Sequence, residues 1–187
     1  MFSILYSWDI KLLELVNLSF HNFFLNNLAL IITYFGVLDT GLFIALILYL
    51  FGNEKEKRVA KILVVTLLLT FVFTQIIKYI ILRPRPYQDL SSLIVLSRGT
   101  DPSFPSGHTA MASALAFTLG RNYGYLGFFM ILPILVALSR LYLGVHYPSD
   151  VFVGFLLGII VSYLCEYLFK NTKIMNFIKN SRKTLKV

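Results

Sequence analysis

The sequence predicts an all-α integral membrane protein, a helical bundle of about five transmembrane helices preceded by an N-terminal amphipathic helix. Three observations predict it. Apolar residues make up 57% of the 187 positions, and the mean hydropathy of +0.75 exceeds that of ordinary soluble domains. Five segments approach the length of about 20 mostly apolar residues that a bilayer core demands, because backbone groups there must pair within the segment. Ahead of them, apolar side chains recur at helical spacing between isolated charges.

The elements follow in chain order. Met1 to Phe24 (residues 1–24) reads as an interfacial amphipathic helix, with Ile4, Leu5, Trp8, Leu12, Leu15 and Val16 at helical spacing and Asp9, Lys11 and Glu14 on other faces. Those charges argue against a sixth span and, lacking a basic start and a small-residue cleavage site, against a cleaved signal peptide. A transmembrane domain over 25–170 holds the five spans: Asn27–Phe51, Val59–Leu82, His108–Gly120 extending toward Tyr123, Tyr125–Leu143 and Ser149–Phe169. The third is short and rich in small residues (Ala110, Ala112, Ser113, Ala114, Ala116), which suits a helix packed inside the bundle. Gly154 and Gly158 form a GxxxG in the fifth, read as close helix contact only. Residues 171–187 read as a basic cytoplasmic tail. Asp39 falls in the middle of the first span, where a charge is costly; it is neutral, capped by Thr40 or Thr33, or turned to the bundle. The loop from Arg83 to Pro105 holds four of the six prolines and an apolar island, Leu93–Leu96, that touches headgroups or forms a small local core.

Composition also excludes. The single cysteine, Cys165, permits neither an internal disulfide nor a cysteine metal site. The net charge of +8 comes from short clusters between apolar runs, unlike the aromatic-interleaved stripe of a nucleic-acid binder. Alternating the spans puts Lys55, Lys57, Arg58, Lys61, Arg121, Lys170 and the tail on one face, eleven of the seventeen basic residues. By the positive-inside rule that face is cytoplasmic, so the opposite face looks outward.

Three clusters fall together on the outward face. Lys78 ends the second span and Arg85 follows, with Pro84 and Pro86 stiffening the exit; the pair attracts an anion or simply snorkels. Pro105-Ser106-Gly107-His108 opens the third span, where free helical N–H groups and the dipole favour a phosphate. Gly107 allows close backbone approach, and Ser106 can cap the helix and donate to a phosphate oxygen. Ser139-Arg140, His146 and Asp150 form the third cluster. A carboxylate behind a histidine can fix its tautomer and free the other nitrogen for attack, although an isolated pair of this kind is more often a structural hydrogen bond. Convergence of cations, a helix N-terminus and two histidines on one face favours chemistry.

Lys78 to Pro86 fits K-x6-R-P, Pro105 to His108 is P-S-G-H, and Ser139 to Asp150 fits S-R-x5-H-x3-D. In these motifs the chain resembles the type 2 phosphatidic acid phosphatase superfamily, which includes bacterial lipid phosphatases, undecaprenyl diphosphate phosphatases and soluble vanadium haloperoxidases; the resemblance covers roughly Leu30 to Leu168. It implies a metal-independent, cofactor-free phosphatase. His146 would be the nucleophile that forms a phosphohistidine, Asp150 its orienting acid and His108 the general acid. Lys78, Arg85, Ser106, Gly107 and Arg140 would bind the phosphate. Ser139 receives no role, and Arg83 stands outside the pattern as a second contact for a diphosphate or a headgroup anchor. The implied reaction is hydrolysis of a lipid phosphate monoester or diphosphate at the outer face of the cell (inner) membrane, with polyprenyl (undecaprenyl) diphosphate as first choice. Phosphatidylglycerophosphate, phosphatidic acid or lipid A are alternative substrates, and transfer to an acceptor alcohol an alternative reaction. The implied partners are that substrate and the membrane lipids. No oligomeric state follows from the sequence.

Overall fold

The computed structural model describes residues 2–171, and within them the chain is helical throughout its regular elements. The order is α1 (Phe2–Asn17), α2 (Phe23–Thr33), a 3-10 turn (Tyr34–Gly36), α3 (Leu38–Phe51), α4 (Glu54–Ile81), α5 (Pro86–Asp89), α6 (Gly107–Tyr123), α7 (Leu126–Phe129), α8 (Ile131–Tyr142) and α9 (Pro148–Lys170). Most of the expected basic tail, from residue 172 on, lies outside the described residues.

Two of these helices are long and apolar enough to cross a membrane, α4 with its continuation to Asp89 and α9; the bent pair α2 and α3 would make a third. Local signals set their ends. At the start of α4 the Asn53 side chain accepts from the Lys55 N–H and Glu56 reaches back to the Asn53 N–H, a reciprocal cap. The helix stops at Leu82, which adopts a left-handed conformation (φ 51°) just before Arg83-Pro84. Pro148 is the first residue of α9, where a missing N–H costs nothing, and the Asp150 carboxylate accepts from the Tyr147 N–H at 2.9 Å.

The centre of the bundle is α6. Every residue from Thr109 to Ala116 is buried, as its small side chains led one to expect. α9 lies against it closely: a Cβ at Gly154 would come within 2.5 Å of the Ser106 carbonyl oxygen, and one at Gly158 would strike the Ala110 carbonyl. The apolar core continues through Leu63 and Leu67 of α4 and Ala45 of α3, packed on Met111 and Leu115.

Several expectations change. The expected first span is not one helix: α2 and α3 meet at 61° across the 3-10 turn. The cause is tertiary, since Gly36 lies flat on the backbone of His108, where any Cβ would come within 2.5 Å of its carbonyl oxygen. Asp39 consequently sits exposed in the first turn of α3, where the helix dipole favours it, instead of mid-span. The fourth apolar segment is interrupted at Met130 between α7 and α8. The island in the long loop forms a local core: Leu93 is buried with Leu13, Leu141, Tyr147 and Val151. On α1, Trp8, Leu12 and Leu15 are exposed, but Asp9 turns inward. Asn17, fully buried, ties α1 to the loop, accepting from the Ile94 N–H and donating to the Ile94 and Tyr142 carbonyls.

Candidate active site

The ends of α4 and α8, the start of α6 and the turn before α9 converge with the 83–105 loop on a cavity of two adjoining lobes. Its first lobe, about 220 Å³, is lined by Lys78, Arg85, Asp101, Gly107, His108 and His146 with Thr74, Gln75 and the Gly36–Leu38 bend. A second lobe, about 240 Å³, shares Val37, Arg85, Asp101 and His108 and adds Thr33, Arg98 and Arg140. Two histidines and the three motif cations thus line these two adjoining lobes, Lys78 and His146 in the first, Arg140 in the second, and Arg85 and His108 in both.

His146 is buried in the short turn between α8 and α9. Its Nδ1 lies 3.4 Å from Asp150 Oδ2 and 3.4 Å from the Ser103 hydroxyl, which itself donates to Asp150. Nδ1 is therefore the engaged nitrogen, which leaves Nε2 for chemistry. Burial pushes the imidazole down; the Asp150 carboxylate pulls it back, Arg140 and Arg85 push it down further, and the ring ends at about 3. It is neutral in any ordinary buffer, as a nitrogen nucleophile must be.

The cations are held by contacts on the protein itself. Lys78, almost fully buried, pairs with Asp101 at 3.0 Å and also donates to the Pro102 carbonyl. Arg85 spans Asp101 and the turn after α8: its Nη2 meets Asp101 Oδ1 at 2.6 Å, its Nε the Asp101 carbonyl at 2.9 Å and its Nη1 the Val145 carbonyl at 3.1 Å. Arg140 donates from Nη1 to Thr33 at 2.9 Å, while its buried Nε finds no partner among the described residues. A guanidinium N–H of this kind is a donor available to an anion.

Ser106 caps α6 and shares its hydroxyl with Thr109 at 3.0 Å, behind the wall that Gly107 forms. Ser139 donates to the Val136 carbonyl, consistent with a purely local role. Sequence reasoning missed Asp101, Ser103 and Thr33. Asp101 is held to about 2: burial opposes its ionisation, but Lys78 and Arg85 outweigh that. Its one sequence signal is an acid placed four residues before the Pro105-Ser106-Gly107-His108 turn. Arg83 borders neither lobe. It is bound to Asp9, Ser149 and Asp150 and stacks 3.9 Å from the Tyr147 ring centre.

A profile of the PAP2 superfamily matches residues 59–174, more than half of the chain and all of the site motifs. The chain belongs to the PAP2 superfamily. This PAP2 protein is accordingly a lipid phosphatase, a hydrolase of membrane lipid phosphates. It is 30% identical over 162 residues to an undecaprenyl-diphosphatase of Sulfolobus acidocaldarius, covering 84% of this chain and 76% of that one. It is 29% identical over 148 residues to undecaprenyl-diphosphatase BcrC of Bacillus subtilis, covering 79% and 76%. Its fold is that of a transmembrane PAP2-type phosphatidylglycerolphosphate phosphatase from Bacillus subtilis, solved by crystallography, with a TM-score of 0.72 at 23% identity over 89% of this chain and 87% of that one. The matched profile starts in α4, so Asp9, Thr33 and Gly36 of the PAP2 site surroundings come from outside it.

Proposed function

We propose that this PAP2 phosphatase hydrolyses a polyprenyl diphosphate of undecaprenyl type at the outer face of the cell membrane through a phosphohistidine. The observation that carries the reading is a single cavity on which a neutral, carboxylate-backed His146, a second imidazole, His108, and the cations Lys78 and Arg85 all border.

Nε2 of His146 attacks the terminal phosphorus, and the bond from phosphorus to the bridging oxygen breaks. His108, which takes up a proton with the bound phosphate anion, gives that proton to the bridging oxygen, so the lipid monophosphate leaves. Water then attacks the phosphohistidine; His108 takes a proton from it, and inorganic phosphate departs with His146 neutral again. Lys78, Arg85, Arg140 and the Gly107 N–H hold the equatorial oxygens as charge spreads over them. Asp150 balances the charge that His146 gains in the covalent state. These groups supply the charge stabilisation without a metal, so chelators leave turnover unchanged.

Two features favour a diphosphate. The second lobe adjoins the first at His108 and brings Arg98, a further cation where the second phosphate would lie. The relatives from Sulfolobus and Bacillus subtilis also carry the name undecaprenyl-diphosphatase. The five-span topology and the outward site rest on the buried α6, the apolar pair α7 and α8, and the basic residues gathered on the opposite face. In that arrangement α1 lies at the interface with Trp8, Leu12 and Leu15 toward lipid.

The purified protein, assayed for phosphate release on undecaprenyl diphosphate, phosphatidylglycerophosphate, phosphatidic acid and lipid A, tests the assignment. Highest kcat/KM on the polyprenyl diphosphate is expected. A preference for phosphatidylglycerophosphate would move the assignment to a glycerolipid, and lipid product without free phosphate would mean transfer to an acceptor.

A further inference from the structure

We propose that Asp9, on the N-terminal helix, is a positioning residue of the reaction centre: it shares the Arg83 guanidinium with Asp150 and thereby holds that carboxylate on the His146 ring. The inference rests on the reading of His146 as nucleophile given above.

Asp9 is only 8% exposed, whereas its helical neighbours Trp8 and Leu12 are 61% and 45% exposed. Its Oδ2 lies 2.8 Å from Arg83 Nη2, its Oδ1 accepts from the Ser149 N–H at 2.8 Å, and the Ser149 hydroxyl donates to it as well. The other arm of the fork, Arg83 Nη1, donates to Asp150 Oδ1 at 2.7 Å and to Ser149 Oγ at 2.7 Å. The remaining oxygen of Asp150 serves the catalytic side, accepting from the Tyr147 N–H and Ser103 and facing His146. One planar cation thus clamps two carboxylates, and only one of them touches the nucleophile.

Charge shows what the second carboxylate does. Bound to Arg83 alone, Asp150 would be neutralised by it and would have little negative charge left for His146. Asp9 takes half of the guanidinium, and the surplus negative charge remains where His146 becomes cationic in the covalent state. Attachment of α1 does not require this pair. Leu13 is buried against Leu93, Leu141, Tyr147 and Val151, and Asn17 is hydrogen-bonded to the loop and to α8. Burying an extra ion pair is a poor way to fasten a helix already held by those contacts.

The test is steady-state kinetics of the full chain on undecaprenyl diphosphate, well below its melting temperature. Asp9→Asn keeps the shape and the acceptor for the Ser149 N–H but removes the charge. It is expected to lower kcat by about 10- to 100-fold, the range typical when an outer partner of a site ligand is lost, with KM nearly unchanged. In an Arg83→Gln background the same change should cost nothing further, because the route is already cut. Lys11→Gln, on the exposed side of α1, should match wild type. Wild-type kcat in Asp9→Asn, an equal loss in the Arg83→Gln background, or an equal loss in Lys11→Gln would each overturn the proposal. Should Asp9→Asn not accumulate, Arg83→Lys, which keeps the charge and loses the fork, is expected to show the same fall in kcat at constant KM; wild-type kcat there overturns it. A wild-type protein inactive on every lipid phosphate would instead bring down the functional reading itself.

Discussion

At the scale of single residues, the proposed reaction depends on a histidine kept neutral and cations kept charged. His146→Ala should abolish turnover, and Lys78→Ala, Arg85→Ala or Arg140→Ala should each reduce kcat by about 10²- to 10³-fold, the usual loss for one preorganised donor; kinetics on purified protein checks both. Arg85→Lys should not rescue, because the arginine uses three of its nitrogens on three acceptors. If Arg98 serves the second phosphate, Arg98→Ala should weaken turnover of a polyprenyl diphosphate more than of the corresponding monophosphate. The pH behaviour has a definite sign. The folded protein holds His146 at about 3 against 6.5 for a free histidine, so between those values the unfolded chain binds the extra proton and stability falls as pH falls. Asp101, held at about 2 against 3.8, adds a second loss lower down, as pH drops from 3.8 toward 2. Thermal midpoints in detergent should therefore decline from pH 7 to pH 4, and His146→Gln should lessen that decline. The activity profile should lose its acid side as His146 takes up a proton, with that limb lying far below 6.5. The motif residues were legible because each pairs a chemical type with a helix end. Asp101 and Asp9 were not, since their partner arginines lie 16 and 74 positions away and nothing local marks a carboxylate that will turn inward.

At the scale of elements, the starts of α6 and α9 were legible to within a residue, at the Ser106 cap and at Pro148, whereas α4 begins five residues before the expected Val59, at the Asn53 cap, because its first turn is charged and extends past the apolar run. The bend at Gly36 was not: Tyr34-Phe35-Gly36 contains nothing that forbids a helix, and the break arises from contact with His108. That contact and the α6–α9 seam have consequences for the site. Gly154→Ala would drive a methyl group into the Ser106 carbonyl, displacing the turn that presents Gly107 and His108. A loss of roughly 1–3 kcal/mol is expected for such overpacking, with reduced kcat, and both are read from the melting midpoint and the rate of the purified variant. The sequence reading of Gly154 and Gly158 as close contact was right in kind, yet only the structure shows that the helix contacted is α6, which carries Gly107 and His108.

At the scale of the whole molecule, the proposed outward site would account for basic residues away from the chemistry collecting on the opposite face. In a Cys165→Ser background, Ser92→Cys in the long loop should react with a membrane-impermeant maleimide in intact cells, whereas Lys55→Cys should react only after lysis. The reverse pattern would invert the topology. The central claim, covalent catalysis at His146 inside a cationic cavity, has one direct test. Protein mixed with substrate and quenched in alkali, where phosphohistidine survives, should yield a phosphorylated peptide in mass spectrometry whose modified residue is His146. Phosphate on a different residue, or full turnover with no phosphorylated His146 at any time, would contradict it.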